Sequence, residues 1–135
     1  MSRQELIGQR LPGLAIEAIG ADAVGAYLAA SGDDNPLHRD ETLARGAGMA
    51  GLPVPGMLVM GQFSRALEAW PRCGAIARLA ARFLRPVLFG EGVEISGRVV
   101  AADPASRRAV VRLTAAAAGK TVVMGEAEIE LTAEF

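Results

Sequence analysis

Cysteine occurs once in this 135-residue chain, at Cys73, so no disulfide can form within it, which suits a reducing compartment. Its neighbours Pro71, Arg72 and Gly74 read as a turn, and the role expected of Cys73 is a small buried or loop residue rather than a nucleophile. Histidine also occurs once, and no histidines or cysteines stand at metal-ligand spacing, which argues against a metal site. The net charge of −1 leaves no excess of either sign to hold nucleic acid or an anionic membrane. No stretch approaches the ~18–20 continuous apolar residues that cross a bilayer. The apolar run from Leu52 to Met60 is short and broken by Pro53, Pro55 and Gly56. The opening MSRQELIGQRLPGL carries charges where a secretory signal would carry an apolar run. These absences predict a cytoplasmic protein without metal or cofactor, and with no nucleic-acid or membrane partner.

What is present is the material of one domain spanning residues 1–135, with no internal repeat, low-complexity tract or linker. Aromatics are few while alanine and glycine are abundant, so the core is expected to be built from small side chains. Leu14 to Ile19 reads as a short strand ending at Gly20, after which Asp22 can cap a helix over about 23–30. Val24, Tyr27 and Leu28 share one face of that helix, and Gly32 suits its left-handed C-terminal stop. Asn35-Pro36 forces a bend, because a residue before proline avoids the helical region. A short helix is expected over Asp40 to Ala47.

Pro55 is expected to open the longest helix, where its missing N–H is not needed. Leu58, Val59, Phe63, Ala66, Leu67 and Trp70 follow at helical spacing, and Met60 and Gly61 widen the apolar surface, so the helix is expected to be buried on most sides until Pro71 stops it. From Ala75 the period changes to two. Strands are expected up to Pro86, over Gly92 to Ala102, over Ala109 to Ala117 and over Thr121 to Thr132, with turns at Asp103-Pro104 and Gly119-Lys120. A sheet and one apolar helix bury their faces only against each other. The predicted fold class is α+β, an antiparallel, curved sheet wrapped around a long central helix.

The segment Ser31-Gly32-Asp33-Asp34-Asn35-Pro36-Leu37-His38 carries the chemistry-bearing residues. Histidine exchanges a proton near neutral pH, and a carboxylate precedes it across a proline-fixed bend that can turn both side chains toward one water. No serine or cysteine nucleophile stands beside the pair, so a covalent route has little support. Taken alone the pattern stays open, since an Asp-x-Asn-Pro turn is common on surfaces and a lone histidine is often structural. Asp34 is expected to face solvent and take no part.

The run from Tyr27 to His38 resembles the hydratase motif of the MaoC-like family, the (R)-specific enoyl-CoA hydratases. That motif has an aromatic residue, a gap, then Ser/Thr-Gly-Asp-x-Asn-Pro-hydrophobic-His. Val54-Pro55-Gly56-Met57-Leu58-Val59-Met60-Gly61 is similar to the start of the family's central helix, usually His-Gly-Met/Leu. Ala81-Arg82-Phe83-Leu84-Arg85-Pro86-Val87-Leu88-Phe89-Gly90-Glu91 is similar to its Arg-Phe-x-x-Pro-Val-x-x-Gly strand. The three matches fall in order over residues 27–91.

The resemblance implies a single hot-dog fold, a homodimer or higher homo-oligomer with acyl tunnels along the interface, and an acyl-CoA or acyl carrier protein thioester as substrate. It implies Asp33 and His38 as the acid–base pair, and the Gly56 amide at a helix start as the donor to the thioester oxygen. Asn35 and Ser64 would support the pair, Asn35 by tying the turn and Ser64 by matching a serine that backs the carboxylate. One departure is Pro55, where the family often has histidine; proline leaves the Gly56 N–H free but donates nothing itself. Arg39, Arg45, Arg82 and Arg85 could form a basic mouth, although a solvated role is expected of each. Two other readings stand beside the hydratase: a non-catalytic thioester-binding or scaffold domain, and a thioesterase, for which Glu68 is the helix carboxylate to check.

Overall fold

The computed structural model describes residues 2–132, and its largest feature follows from the period-two stretches of the sequence. In β5 (Lys120–Leu131), Val123, Gly125, Ala127, Ile129 and Leu131 point inward and are buried, while Glu126, Glu128 and Glu130 point outward. β4 (Arg108–Ala117) buries Ala109, Val111, Leu113, Ala115 and Ala117 on the same face. With β1 (Leu14–Ile16), β2 (Cys73–Phe83) and β3 (Val93–Asp103) these form one antiparallel sheet in the order β1-β3-β4-β5-β2. The β4–β5 turn is Ala118-Gly119, both with positive φ (51° and 73°), the primed geometry that fits strand twist. Lys120 therefore opens β5 and is not part of the turn.

The inner face of the sheet curls around α4 (Gly56–Glu68), which buries Val59, Phe63, Ala66 and Leu67 against it. Phe63 is fully buried, and Gly125 leaves the room its ring needs: a Cβ at position 125 would stand 2.6 Å from Phe63 Cε2. The expectation of a helix buried on most sides is corrected. Met57 is 58% exposed, and Gly61, Arg65 and Glu68 also face outward, because the sheet covers one face only. The helix also begins one residue later than expected, with Pro55 as its flanking cap and Gly56 as its first residue. This sheet around one long helix is the hot-dog fold.

The chain before α4 departs from expectation in three places. A helix α1 (Arg3–Leu6) was not anticipated; Ser2 and Glu5 cap it reciprocally, and that bond to the Ser2 amide holds the Glu5 carboxyl below its ordinary range. After α1 the chain runs beside β3, with Gly8 N–H on the Val99 carbonyl and Leu11 N–H on that of Gly97. β1 stops at Ile16 instead of Ile19, because Ile19 leaves the sheet and pairs with Gly90 and Glu91. Helix α2 (Ala21–Ser31) consequently starts early: Gly20 is its cap and Asp22 lies in its first turn. Its end is as expected, with Val24 and Leu28 buried and Gly32 left-handed at φ 73°, and α3 (Glu41–Gly46) follows between the caps Asp40 and Ala47, where a short helix was expected. Cys73 opens β2 rather than sitting in a turn; burial, then the Glu68 charge, pushes its thiol above the ordinary range.

Candidate active site

The loop after α2 is fixed by its own polar side chains. Ser31 Oγ accepts from the Asp33 amide at 3.2 Å, and Asp33 Oδ1 accepts from the Asn35 amide at 3.0 Å. Asn35 Oδ1 in turn accepts from the Leu37 amide at 3.1 Å, capping the 3₁₀ turn Pro36–His38. Each bond satisfies a donor that the bend leaves without a helical partner. Their joint effect is to occupy one oxygen of Asp33 and leave Oδ2 directed at the histidine. Arg39 adds a bond from its guanidinium to the Asp33 carbonyl at 3.4 Å.

His38 Nε2 lies 3.7 Å from Asp33 Oδ2. The imidazole is 13% exposed and the carboxylate 35%, so the pair sits at the edge of the interior, open on the Asp33 side. Nδ1 of His38 meets the Pro53 carbonyl at 2.8 Å. A carbonyl can only accept, so Nδ1 carries the hydrogen and Nε2 of the neutral ring presents its lone pair toward Asp33. Asp34 is exposed, as expected.

Pro53 also ties the pair to the start of α4. Gly56 is three residues further on, within about 11 Å even for extended chain. No side chain caps α4; its hydrogen bonding begins at Leu58, whose N–H reaches the Pro55 carbonyl at 3.1 Å, so Gly56 and Met57 hold the N–H groups that precede the first helical bond. The Phe83 ring lies over Gly56: a Cβ there would come 2.9 Å from Phe83 Cε1. Gly56, Phe83, Leu84, Arg85 and Val87 line a cleft of about 300 Å³. Asp33 and His38 are not among its lining residues. A larger cavity of about 580 Å³ lies elsewhere, between Arg3, Asp103, Arg108 and Glu128, and holds none of the expected site residues.

The remaining sequence candidates fall at varied distances. Ser64 is half-buried about 12 Å along α4 from Gly56, and among the described residues no hydrogen bond joins it to Asp33. Glu68 is exposed at the other end of the helix, about 18 Å from Gly56. Of the arginines considered for a basic mouth, Arg85 lines the cleft, and Arg45 is paired with Glu41 at 2.7 Å. The sequence reading missed the Pro53 carbonyl, since a main-chain acceptor has no residue signature. It also missed the Phe83 cover on Gly56, although Phe83 lies inside the segment 81–91 that resembles the family's strand.

The family described as "MaoC like domain" matches residues 9–123. No curated protein matches the chain. Among solved structures, a MaoC-like dehydratase superposes with a TM-score of 0.85 at 30% identity, over 93% of this chain and 40% of that one. This chain therefore spans less than half the length of that relative. The (R)-hydratase from A. caviae involved in PHA biosynthesis superposes at 0.82 with 31% identity, over 93% of this chain and 96% of that one. The R-hydratase PhaJ1 from Pseudomonas aeruginosa gives 0.83 at 29% identity, over 95% and 83%.

Proposed function

Because the chain belongs to the MaoC-like dehydratase family, we propose that it adds water to trans-2-enoyl thioesters and removes it from (R)-3-hydroxyacyl thioesters, with Asp33 and His38 sharing one water. The observation that carries the proposal is the pair of free acceptors, Asp33 Oδ2 and His38 Nε2, 3.7 Å apart. That separation is too long for a good direct hydrogen bond, and it lets one water touch both. The water donates one hydrogen to each and points a lone pair outward at the β-carbon.

In hydration the water oxygen bonds to the β-carbon and the pair takes up its proton. The C=C electron pair moves toward the thioester oxygen, and the pair returns a proton to the α-carbon. Atoms balance as enoyl thioester plus water to hydroxyacyl thioester. The two groups act as one unit, so the proton belongs to the pair. Charge growing on the thioester oxygen is met by the Gly56 amide, at the positive end of α4. Asn35 fixes the turn that aims Asp33, and the supporting role of Ser64 rests on its match to the family serine alone.

The thioester is carried by coenzyme A or acyl carrier protein, and the working form is a homodimer. Met57, Phe83 and Leu84, all more than two-fifths exposed, give the apolar surface such an interface and acyl channel need. The distance of Glu68 from Gly56 counts against a thioesterase that uses it.

Crotonyl-CoA tests the proposal. Loss of the conjugated enone absorbance without release of free thiol is expected. Thiol release would indicate a thioesterase instead. Binding by calorimetry with neither change would leave a scaffold domain.

A further inference from the structure

We infer that Glu91 is a positioning residue for His38, acting through the main chain on either side of Pro53. The inference rests on His38 being the acid–base imidazole proposed above. The Pro53 carbonyl fixes the orientation of that ring, so whatever fixes Pro53 fixes the base. Proline has no N–H, and its peptide is held through its neighbours. The Leu52 carbonyl accepts from the Phe89 amide at 2.9 Å, and the Val54 amide donates to the Val87 carbonyl at 2.7 Å. Pro53 thus stands opposite Leu88 in an antiparallel bridge.

Alternation along such a segment turns the Leu88 N–H away from the bridge, and Glu91 Oε1 accepts it at 2.7 Å. The turn is closed further by the Glu91 amide on the Leu88 carbonyl at 3.0 Å, and it is anchored by Ile19, which bonds Gly90 and Glu91 at 2.8 and 3.1 Å. The Glu91 carboxylate is the side-chain acceptor in this turn. It is half-buried, and among the described residues it forms no salt bridge. A bond from an amide to a carboxylate is among the stronger ones, and removing the acceptor leaves a half-buried N–H unsatisfied. Loss of that bond loosens residues 87–89, then Pro53, then the ring.

His38 is the only histidine in the chain, so its imidazole ¹⁵N resonances report one residue without assignment. In wild type and in Glu91→Gln, which keeps a carbonyl acceptor, the neutral ring is expected to hold its hydrogen on Nδ1. In Glu91→Ala the Nε2–H form should grow, and kcat on crotonyl-CoA should fall about 10-fold with KM little changed, as for a misplaced catalytic group. Glu91→Leu keeps the bulk without the acceptor and replaces Glu91→Ala if that variant fails to fold. Two results would overturn the inference: an unchanged tautomer and kcat in the folded variant without an acceptor, or losses in Glu91→Gln equal to those in Glu91→Ala. The tautomer is read without turnover, so a wild-type protein inert toward enoyl thioesters would defeat the hydratase reading and leave the positioning of His38 still measurable.

Discussion

Two glycines in this molecule each face a phenylalanine ring, one in the core and one at the candidate site. At Gly125 the neighbour is Phe63, which is fully buried, and an added Cβ would stand 2.6 Å from its ring. At Gly56 the neighbour is Phe83, 49% exposed, and the added Cβ would stand 2.9 Å away. The first ring is held on all sides and cannot give way; the second is packed on one side only within the chain and can shift. One contact therefore sets stability, while the other leaves room for a ligand. The same contrast separates the interior of the sheet, where apolar packing decides everything, from the loop of residues 31–38, where short polar side chains hold the backbone.

Substitutions that sharpen this comparison run from the core outward. Phe63→Ala should cost about 3–5 kcal/mol of unfolding free energy in a denaturant titration, as expected for emptying a well-packed aromatic site. Gly125→Ala should cost about 1–3 kcal/mol by overpacking against the same ring. Asn35→Ala removes the cap on the Leu37 amide and should cost about 1 kcal/mol. Gly56→Ala should change stability least, by about 0.5 kcal/mol or less, because Phe83 can move aside. It should nevertheless lower kcat about 10-fold or more by blocking close approach to the amide. Equal stability losses at Gly56 and Gly125 would break the comparison and make Gly56 a packing residue.

Much of this was legible in the sequence wherever one residue type answers one physical need. The alternation of Val123, Gly125, Ala127, Ile129 and Leu131 with Glu126, Glu128 and Glu130 specified β5 and its faces. The spacing of Val59, Phe63, Ala66 and Leu67 specified α4. Asp33 and His38 could be paired because Asn35-Pro36 dictates a bend between them. What escaped was set by distant backbone. Ile19 looks like a strand residue but leaves β1 to bond Gly90 and Glu91, and the cap of α2 is Gly20 instead of Asp22. The open face of α4 depends on how far the sheet curls, which apolar spacing does not encode. The Pro53 carbonyl that orients His38 carries no side-chain signature. The α1 helix could have been read, since Ser2 and Glu5 stand at capping-box spacing, but four residues give no periodicity.

The central claim is that one carboxylate and one imidazole act on a single water. A double-mutant cycle with Asp33→Asn, His38→Ala and the combined variant, measured by hydration of crotonyl-CoA, tests it most directly. Each single change is expected to lower kcat at least ~100-fold. The combined variant should fall no further than the worse of the two, because groups working as a unit fail together. Losses that multiply, or a normal rate in either single variant, would contradict the account.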